Sequence, residues 1–142
     1  QGRIETLISR SKKNRQLMTV SEIKGKNAIT NYNILKVFNA SNIPKISLVE
    51  CELETGRTHQ IRVHMNYMKA PLLGDNQYGK KNMRFKKINA EFLKKLSLLN
   101  GQALHAKSLS FIHPSKNKLV HFKSELPEDF KKLLNFLENL CG

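Results

Sequence analysis

Apolar residues recur along the chain at spacings that differ from segment to segment, and the spacing is clearest at the C-terminal end. Pro127 suits a first helical turn, and Glu128 and Asp129 suit the positive end of a helix dipole. Apolar residues then share one helical face, at Phe130, Leu133, Leu134, Leu137 and Leu140. The pattern predicts a C-terminal helix that packs on a sheet.

Alternating apolar and polar positions predict strands in the first part of the chain. Residues 28–39 alternate imperfectly, and residues 46–53 mark another strand. The segment around Asn42 contains a proline that interrupts the extended pattern. Two antiparallel strands joined by this loop are the simplest arrangement. Residues 3–10 fit a short strand only loosely, and residues 15–20 can be extended.

The second part of the chain predicts two helices and a hairpin. Residues 58–69 have helical character, and residues 89–99 predict a short helix. Residues 104–113 and 119–123 predict two strands of a hairpin, with the turn at 114–117. Strands and helices together predict an α+β fold with a mixed, mainly antiparallel sheet and helices packed on it.

Length and composition fit one domain with a hydrophobic core. The chain has 142 residues, of which 39% are hydrophobic. It begins with Gln1 and Gly2 and shows no export signal, which favours an N-terminus produced by a cut. No apolar run approaches the roughly 18 to 20 residues needed to cross a bilayer. We therefore expect a soluble protein without a membrane partner.

The charge balance indicates a partner rich in phosphate. The formal net charge is +14, the isoelectric point is about 10.0, and residues 80–87 form a basic loop. RNA or DNA is the leading partner class, and a genome-wide bias toward Lys, Asn and Ile is the alternative. Cys51 and Cys141 are too few and too distant in sequence for a disulfide framework, so we expect a cytoplasmic setting.

Residues 58–69 combine a polar face with an apolar stripe. On a helix, His59, Arg62, Asn66 and Lys69 fall within about 80° of one another. The apolar residues Ile61, Met65 and Met68 lie on a separate stripe. This spacing predicts one face that binds and another that packs. An ordinary amphipathic helix with a solvated basic face is the alternative, and periodicity does not decide between them.

The residues just before this helix suit an anion. Gly56 allows a tight turn of the backbone, and Thr58 can act as the N-cap. Arg57 and His59 then lie at the start of the helix, where exposed amides and the helix dipole favour a phosphate.

Two strings of residues resemble the signature of a known family. The string TGRTHQIRVH, followed by PLLGDNQYG, closely resembles the signature of the RluA/RluD-type pseudouridine synthases. Gly25 to Thr30 with Tyr32, and Gln102 to Ala106, are similar to two further patterns of this family. His113-Pro114 and Leu126-Pro127 also fall where the family has such pairs, so the resemblance covers essentially the whole chain.

The resemblance implies isomerisation of uridine to pseudouridine in RNA, with neither metal nor cofactor. The family's reactive aspartate belongs to a histidine-arginine-leucine-aspartate motif, and no HRLD string occurs here. We therefore expect residues 1–142 to be the C-terminal portion of a catalytic domain whose N-terminal portion, with the catalytic aspartate, is absent. The fragment alone is expected to be inactive.

The resemblance also assigns site residues. By motif position, Arg62 is the catalytic arginine that pairs with an aspartate outside this chain, where its fixed fork would orient a carboxylate. The substrate implied is ribosomal RNA, with transfer RNA as the main alternative. The residues expected to bind RNA are Arg57, Thr58, His59, Lys69, Lys80, Lys81, Arg84, Lys86 and Lys87.

Some residues depart from the family pattern or have weaker roles. Lys69 and Ala70 stand where many relatives have glycine-histidine, so any role of that histidine does not transfer. Asp75 is a minor candidate for the nucleophile, because aspartate commonly supports turns. His105 could approach the site from its strand, although a structural role is an equal expectation.

Other classes of protein fit less well. His59 and His64 are five residues apart, about 140° around a helix, whereas a helical metal pair requires a separation of four. The sequence contains no nucleophile elbow and no glycine-rich phosphate loop. A non-catalytic RNA-binding module of the same family remains the main alternative. A partial sheet should also leave exposed edges, which predicts self-association.

Overall fold

The computed structural model describes residues 1–79 and 88–141. The described residues form six strands and three helices. In chain order these are β1 (Gly2–Arg10), β2 (Met18–Ser21), β3 (Lys26–Phe38), β4 (Ile46–Leu53), α1 (Gln60–Tyr67), α2 (Ala90–Ser97), β5 (Ser108–Ile112), β6 (Leu119–Lys123) and α3 (Glu128–Cys141).

Two antiparallel sheets organise the fold. Four strands form one sheet in the order β2-β1-β3-β4, and β5 pairs with β6 in a separate hairpin. β3 is the longest strand, pairing with β1 along its first half and with β4 along nearly all of its second half. The α+β prediction is confirmed, although every strand pair in the described residues is antiparallel and none makes the sheet mixed.

β1 is a regular nine-residue strand, although its sequence pattern was loose. Ile4 and Ile8 are buried, and Thr6 lies between them on the same side of the strand. The side chain of Thr6 hydrogen-bonds to a buried histidine, so a polar residue occupies an inward position. The apolar alternation is therefore interrupted where the strand supplies a hydrogen-bonding group.

The larger hydrophobic cluster lies where α2 and α3 cover one end of the sheet. Phe38 and Ile46 contribute from β3 and β4, Phe92 from α2, and Leu133 and Leu137 from α3. Leu134 and Leu140 are partly buried against this cluster, which confirms the predicted apolar stripe of the C-terminal helix.

The predicted helix at 89–99 is also confirmed, as α2. The side chain of Asn89 accepts a hydrogen bond from the amide of Phe92 at 2.9 Å, which fixes the start of this helix. The second predicted hairpin is confirmed as β5 and β6, but β5 begins at Ser108 rather than at residue 104. His105 therefore precedes the strand, where its Nε2 lies 3.1 Å from the carbonyl oxygen of Ser124.

None of the helices in residues 1–79 and 88–141 has the length and apolar character needed to span a membrane. The basic segment 80–87 lies outside the described residues, and so do its candidate RNA-binding residues Lys80, Lys81, Arg84, Lys86 and Lys87.

Candidate functional site

A buried polar network fixes the start of α1 to the sheet. The side-chain amide of Gln60 donates to the carbonyl oxygen of Ile29 at 2.9 Å and to the hydroxyl of Thr30 at 3.0 Å. Its side-chain oxygen accepts from the hydroxyl of Thr55 at 2.8 Å and from the amide of Arg57 at 2.9 Å. Because these bonds reach β3 and the end of β4, α1 has a fixed position against the sheet.

His64 extends this network across α1. Its side chain is fully buried, with Nδ1 2.8 Å from the hydroxyl of Thr30 and Nε2 2.9 Å from the hydroxyl of Thr6. Burial lowers the pKa of His64, so the imidazole is neutral at pH 7. Every buried side-chain nitrogen or oxygen in the described residues has a hydrogen-bond partner.

The prediction of a binding face and a packing face on this helix is wrong in part. Met68, predicted to pack, is 48% exposed, whereas Arg62, predicted to lie on the binding face, is only 9% exposed. α1 contacts both β2 and β3, so more than one face of the helix is covered. Apolar periodicity missed the buried Arg62 and His64 because hydrogen-bonded polar groups face inward.

The cap of this helix also differs from the prediction. α1 begins at Gln60 rather than at Thr58, and its N-cap is His59 in a left-handed conformation with φ of 56°. No side chain caps the helix, and Thr58 is exposed. Gly56 has no positive φ, and a Cβ there would touch nothing within 4 Å, so the turn does not require glycine.

Arg62 makes a two-pronged ion pair with Asp75 at the centre of the site. Its Nε donates to Oδ2 of Asp75 at 2.8 Å, and its Nη2 donates to Oδ1 at 2.9 Å. Nη2 also donates to the side-chain oxygen of Gln77 at 2.7 Å. The guanidinium carbon lies 4.8 Å from the centre of the Tyr78 ring, within cation–π range. The guanidinium is thus held by hydrogen bonds along its Nε and Nη2 edge, and one of its faces packs against the Tyr78 ring.

Asp75 is ionised, and both of its carboxylate oxygens accept hydrogen bonds. Its side chain is completely buried, and Oδ1 also accepts from the amides of Gln77 and Tyr78, each at 3.1 Å. Burial acts to raise the pKa of Asp75, but the hydrogen bonds from Arg62 and the two amides outweigh it, and the pKa is lowered. The same ion pair raises the pKa of Arg62. With its oxygens engaged and inaccessible, Asp75 has the geometry of a partner of Arg62 rather than of a nucleophile.

The turn that carries Asp75 depends on glycine at one position. Gly74 has a φ of 72°, and a Cβ there would overlap the carbonyl oxygen of Gly101. The neighbouring Leu73 accepts a backbone hydrogen bond from Ala103 at 2.7 Å. The segment before β5 therefore packs directly against the turn that positions Asp75.

His59 and Tyr78 form a second pair beside Arg62. Nδ1 of His59 lies 2.8 Å from the hydroxyl of Tyr78, which also accepts from the amide of Met18 at 2.9 Å. The two rings meet edge to face. Burial and the positive charge of Arg62 lower the pKa of His59, with Asp75 opposing them. A neutral imidazole accepting from the Tyr78 hydroxyl fits this geometry.

The other predicted RNA-binding residues of the described part lie around α1. Arg57 is half-buried and donates from Nε to the carbonyl oxygen of Asn27 at 2.9 Å. Lys69 is exposed, just after α1, with a φ of 61°. Beside α1, a groove of about 450 Å³ is lined by residues 18–23 and by Val63, Asn66, Tyr67 and Tyr78. The binding role of these residues stays a prediction.

Sequence reasoning missed several residues that build the site. Gln60, Gln77 and Tyr78 belong to the two signature strings, so their place in those strings was an available signal. Thr6 and Thr30 lie in strands far along the chain from α1, and no sequence spacing connects them with His64. No group of three or more His, Cys, Asp or Glu side chains in the described residues could hold a metal ion.

Comparison with known proteins shows what this chain is similar to. A family model described as RNA pseudouridylate synthase matches residues 1–67. A solved structure, human RNA Pseudouridylate Synthase Domain Containing 1, superposes with a TM-score of 0.67 at 21% identity, covering 96% of this chain and 59% of that one. The fold is therefore that of a pseudouridylate synthase domain.

Curated relatives are similar over nearly the whole of this chain. The uncharacterized RNA pseudouridine synthase YlyB of Bacillus subtilis (strain 168) is 46% identical, covering 98% of this chain and 39% of that protein. Ribosomal large subunit pseudouridine synthase D of Zymomonas mobilis is 44% identical, covering 96% and 40%. The protein of the same name from Neisseria meningitidis serogroup A is 43% identical, covering 99% and 36%.

Over nearly its whole length the chain is similar to RluA/RluD-type pseudouridine synthases, as its signature strings indicated. It spans 36–40% of the length of these three relatives. The assignment of residues 1–142 to the C-terminal portion of a catalytic domain stays a prediction.

Proposed function

We propose that this chain is part of an RNA pseudouridine synthase and that Arg62 acts in its active site. In the reaction, the C1′–N1 bond of a uridine breaks, a C1′–C5 bond forms, and the proton displaced from C5 is replaced by one at N1. The observation that carries the proposal is the buried, rigidly held guanidinium of Arg62 within the signature string. Such a fork can hold a carboxylate ionised and oriented.

The reactive carboxylate is proposed to lie outside residues 1–142, since no HRLD string occurs among them. The one carboxylate paired with Arg62 in the described residues, Asp75, is inaccessible. We therefore expect the chain alone to bind RNA without turnover. Measurable activity from the purified chain would contradict this assignment.

The test uses the full-length protein that contains this chain. Uridine RNA labelled with tritium at C5 releases its label when pseudouridine forms, so tritium release measures turnover. Arg62→Lys and Arg62→Ala should lower turnover far more than RNA affinity, because the fixed fork that would orient the reactive carboxylate is lost. Thermal unfolding of both variants is measured beside turnover, because losing the buried pair with Asp75 costs about 3 to 5 kcal/mol of stability. Arg15→Lys, at an exposed position, is the matched control. Near-normal turnover by both Arg62 variants would remove Arg62 from the site.

The proposed substrate is ribosomal RNA, and the proposed location is the cytoplasm. Two of the relatives named above are ribosomal large subunit pseudouridine synthases, which supports this substrate class. Mapping pseudouridine in ribosomal and transfer RNA from cells with and without the gene tests it. Loss of pseudouridine from ribosomal RNA alone is expected, and loss from transfer RNA alone would favour the alternative substrate.

We also propose self-association of the isolated chain through exposed sheet edges. β4 is an edge strand of the larger sheet, and on the β5–β6 hairpin Leu109 and Phe122 are 60% and 56% exposed. Sedimentation velocity over a range of concentrations should show dimers or larger species. A monomer at every concentration would contradict the proposal.

A further inference from the structure

The hydrogen bonds of Arg62 are distributed unevenly over its guanidinium group. An arginine has five N–H donors, of which Nε carries one and each Nη carries two. Nε and Nη2 make three bonds in total, two to Asp75 and one to Gln77. Nη1 makes no hydrogen bond to any side chain or backbone group within residues 1–79 and 88–141. All N–H donors on the Nε and Nη2 edge are therefore used, whereas those of Nη1 have no partner among the described residues.

The Nε and Nη2 edge of Arg62 is rigid because Asp75 and Tyr78, which contact the guanidinium, are themselves fixed. Asp75 is completely buried and is held by two backbone amides of its own turn. The Tyr78 ring covers the guanidinium, and the Tyr78 hydroxyl is held by the Met18 amide. The orientation of Nη1 is therefore set by residues other than Arg62 itself.

We propose that Asp75 and Gln77 are positioning residues, which clamp the Nε and Nη2 edge of Arg62 so that Nη1 is the donor presented to the reactive carboxylate. This inference rests on the proposed function. Gln77 fixes the second N–H of Nη2, which Asp75 does not reach. The clamp fixes the direction of the guanidinium as well as its charge, because Gln77 adds a third bond to the two that Asp75 makes.

The two clamp residues differ in how much the fold depends on them. Asp75→Asn would place an amide against Arg62 and leave a buried charge poorly compensated, so this variant risks unfolding. Gln77 is an exposed side chain, and Gln77→Met removes one acceptor at similar length. Gln77→Met therefore tests positioning without testing the core. Asn76→Leu, at the exposed neighbouring position, is the matched control.

The experiment measures kcat, KM for RNA and the midpoint of thermal unfolding in the full-length protein. Gln77→Met should lower kcat by about tenfold, as expected for loss of one bond to a charged group, with KM and the unfolding midpoint unchanged. Gln77→Glu keeps an acceptor and should restore kcat. Asn76→Leu should match the wild-type protein in all three values, and Asp75→Asn should lower kcat further than Gln77→Met.

The outcomes separate this inference from the proposed function. A wild-type kcat for Gln77→Met, while Arg62→Ala is inactive, would overturn the clamp and leave the proposed function standing. A fall in the unfolding midpoint that accounts for the loss of kcat would also overturn it, as would failure of Gln77→Glu to restore kcat. No turnover by the wild-type protein would overturn both.

Discussion

His64 and Arg62 are two polar residues of one short helix that are stabilised in opposite charge states. Within residues 1–79 and 88–141, the ring nitrogens of His64 hydrogen-bond to two hydroxyl groups and to no charged group, so burial favours its neutral form. Arg62 meets a carboxylate that two amides also hold, so the pair retains its charges. The signature string identified Arg62, but its pairing with Asp75 could not be predicted, because the two are 13 residues apart and joined by a turn.

The charge state of His64 predicts how stability depends on pH. Its pKa in the folded protein is below the ordinary histidine value of 6.5, so the unfolded chain binds the proton more readily. The free energy of unfolding should be greatest above pH 6.5 and fall as the pH drops through 6.5 toward the lower folded pKa. His59 contributes with the same sign. Urea unfolding at a series of pH values on both sides of this point measures the slope.

One variant assigns the slope to a residue. His64→Gln should make the dependence on pH shallower than in the wild-type protein, whatever its effect on the stability at neutral pH. Equal slopes in the two proteins would show that His64 does not titrate differently in the folded and unfolded states.

Among the elements, those with one buried apolar face were predicted well and those with buried polar groups were not. α3 follows its apolar stripe, and Leu133 and Leu137 are almost fully buried. β1 and α1 place Thr6 and His64 toward each other, which obscures the apolar period of both elements. The sequence carries no sign of this pairing because it forms across 58 residues.

The conformation of Gly74 predicts that adding one methyl group at this position lowers the free energy of unfolding. Gly74→Ala would place a Cβ against the carbonyl oxygen of Gly101 at a φ of 72°, where residues other than glycine are strained. We expect a decrease of about 1 to 3 kcal/mol in the free energy of unfolding. Gly56→Ala is the control, since a Cβ there would contact nothing within 4 Å. Equal stability of the two variants in urea unfolding would contradict the steric argument.

At the scale of the whole molecule, packing accounts for the fold, whereas charge bears on the kind of partner. The fold rests on two separate clusters, one under α2 and α3 and one that joins Val63 and Tyr78 to β1 and β3. The net charge of +14 does not contribute to either cluster and instead raises the affinity for a polyanion. Composition therefore indicates a class of partner, which stays a prediction, and residue strings predicted the similarity to pseudouridine synthases, while the arrangement of the site required the structure.

The charge predicts RNA binding that weakens steeply with salt. Each phosphate contact releases a counterion, so the logarithm of the binding constant should fall linearly with the logarithm of salt concentration. Reversing the charge of Lys86 and Lys87, in the segment outside the described residues, should reduce this slope by about 0.7 to 0.9 for each phosphate that the variant no longer binds. Affinity should decrease to a similar extent for RNAs of different sequence, since phosphate contacts fix the position of a protein on the nucleic acid but do not read its sequence.

A second charge reversal distinguishes a local phosphate track from a general effect of net charge. Lys12→Glu with Lys13→Glu changes the total charge by the same amount, in the exposed turn between β1 and β2. If the basic segment beside the signature contacts RNA, the slope should change for Lys86 and Lys87 and stay near the wild-type value for Lys12 and Lys13. Equal changes in both double variants would mean that the field of the whole molecule, rather than a local phosphate track, attracts the RNA. A slope that is flat in the wild-type protein would make the basic segment a solvated surface.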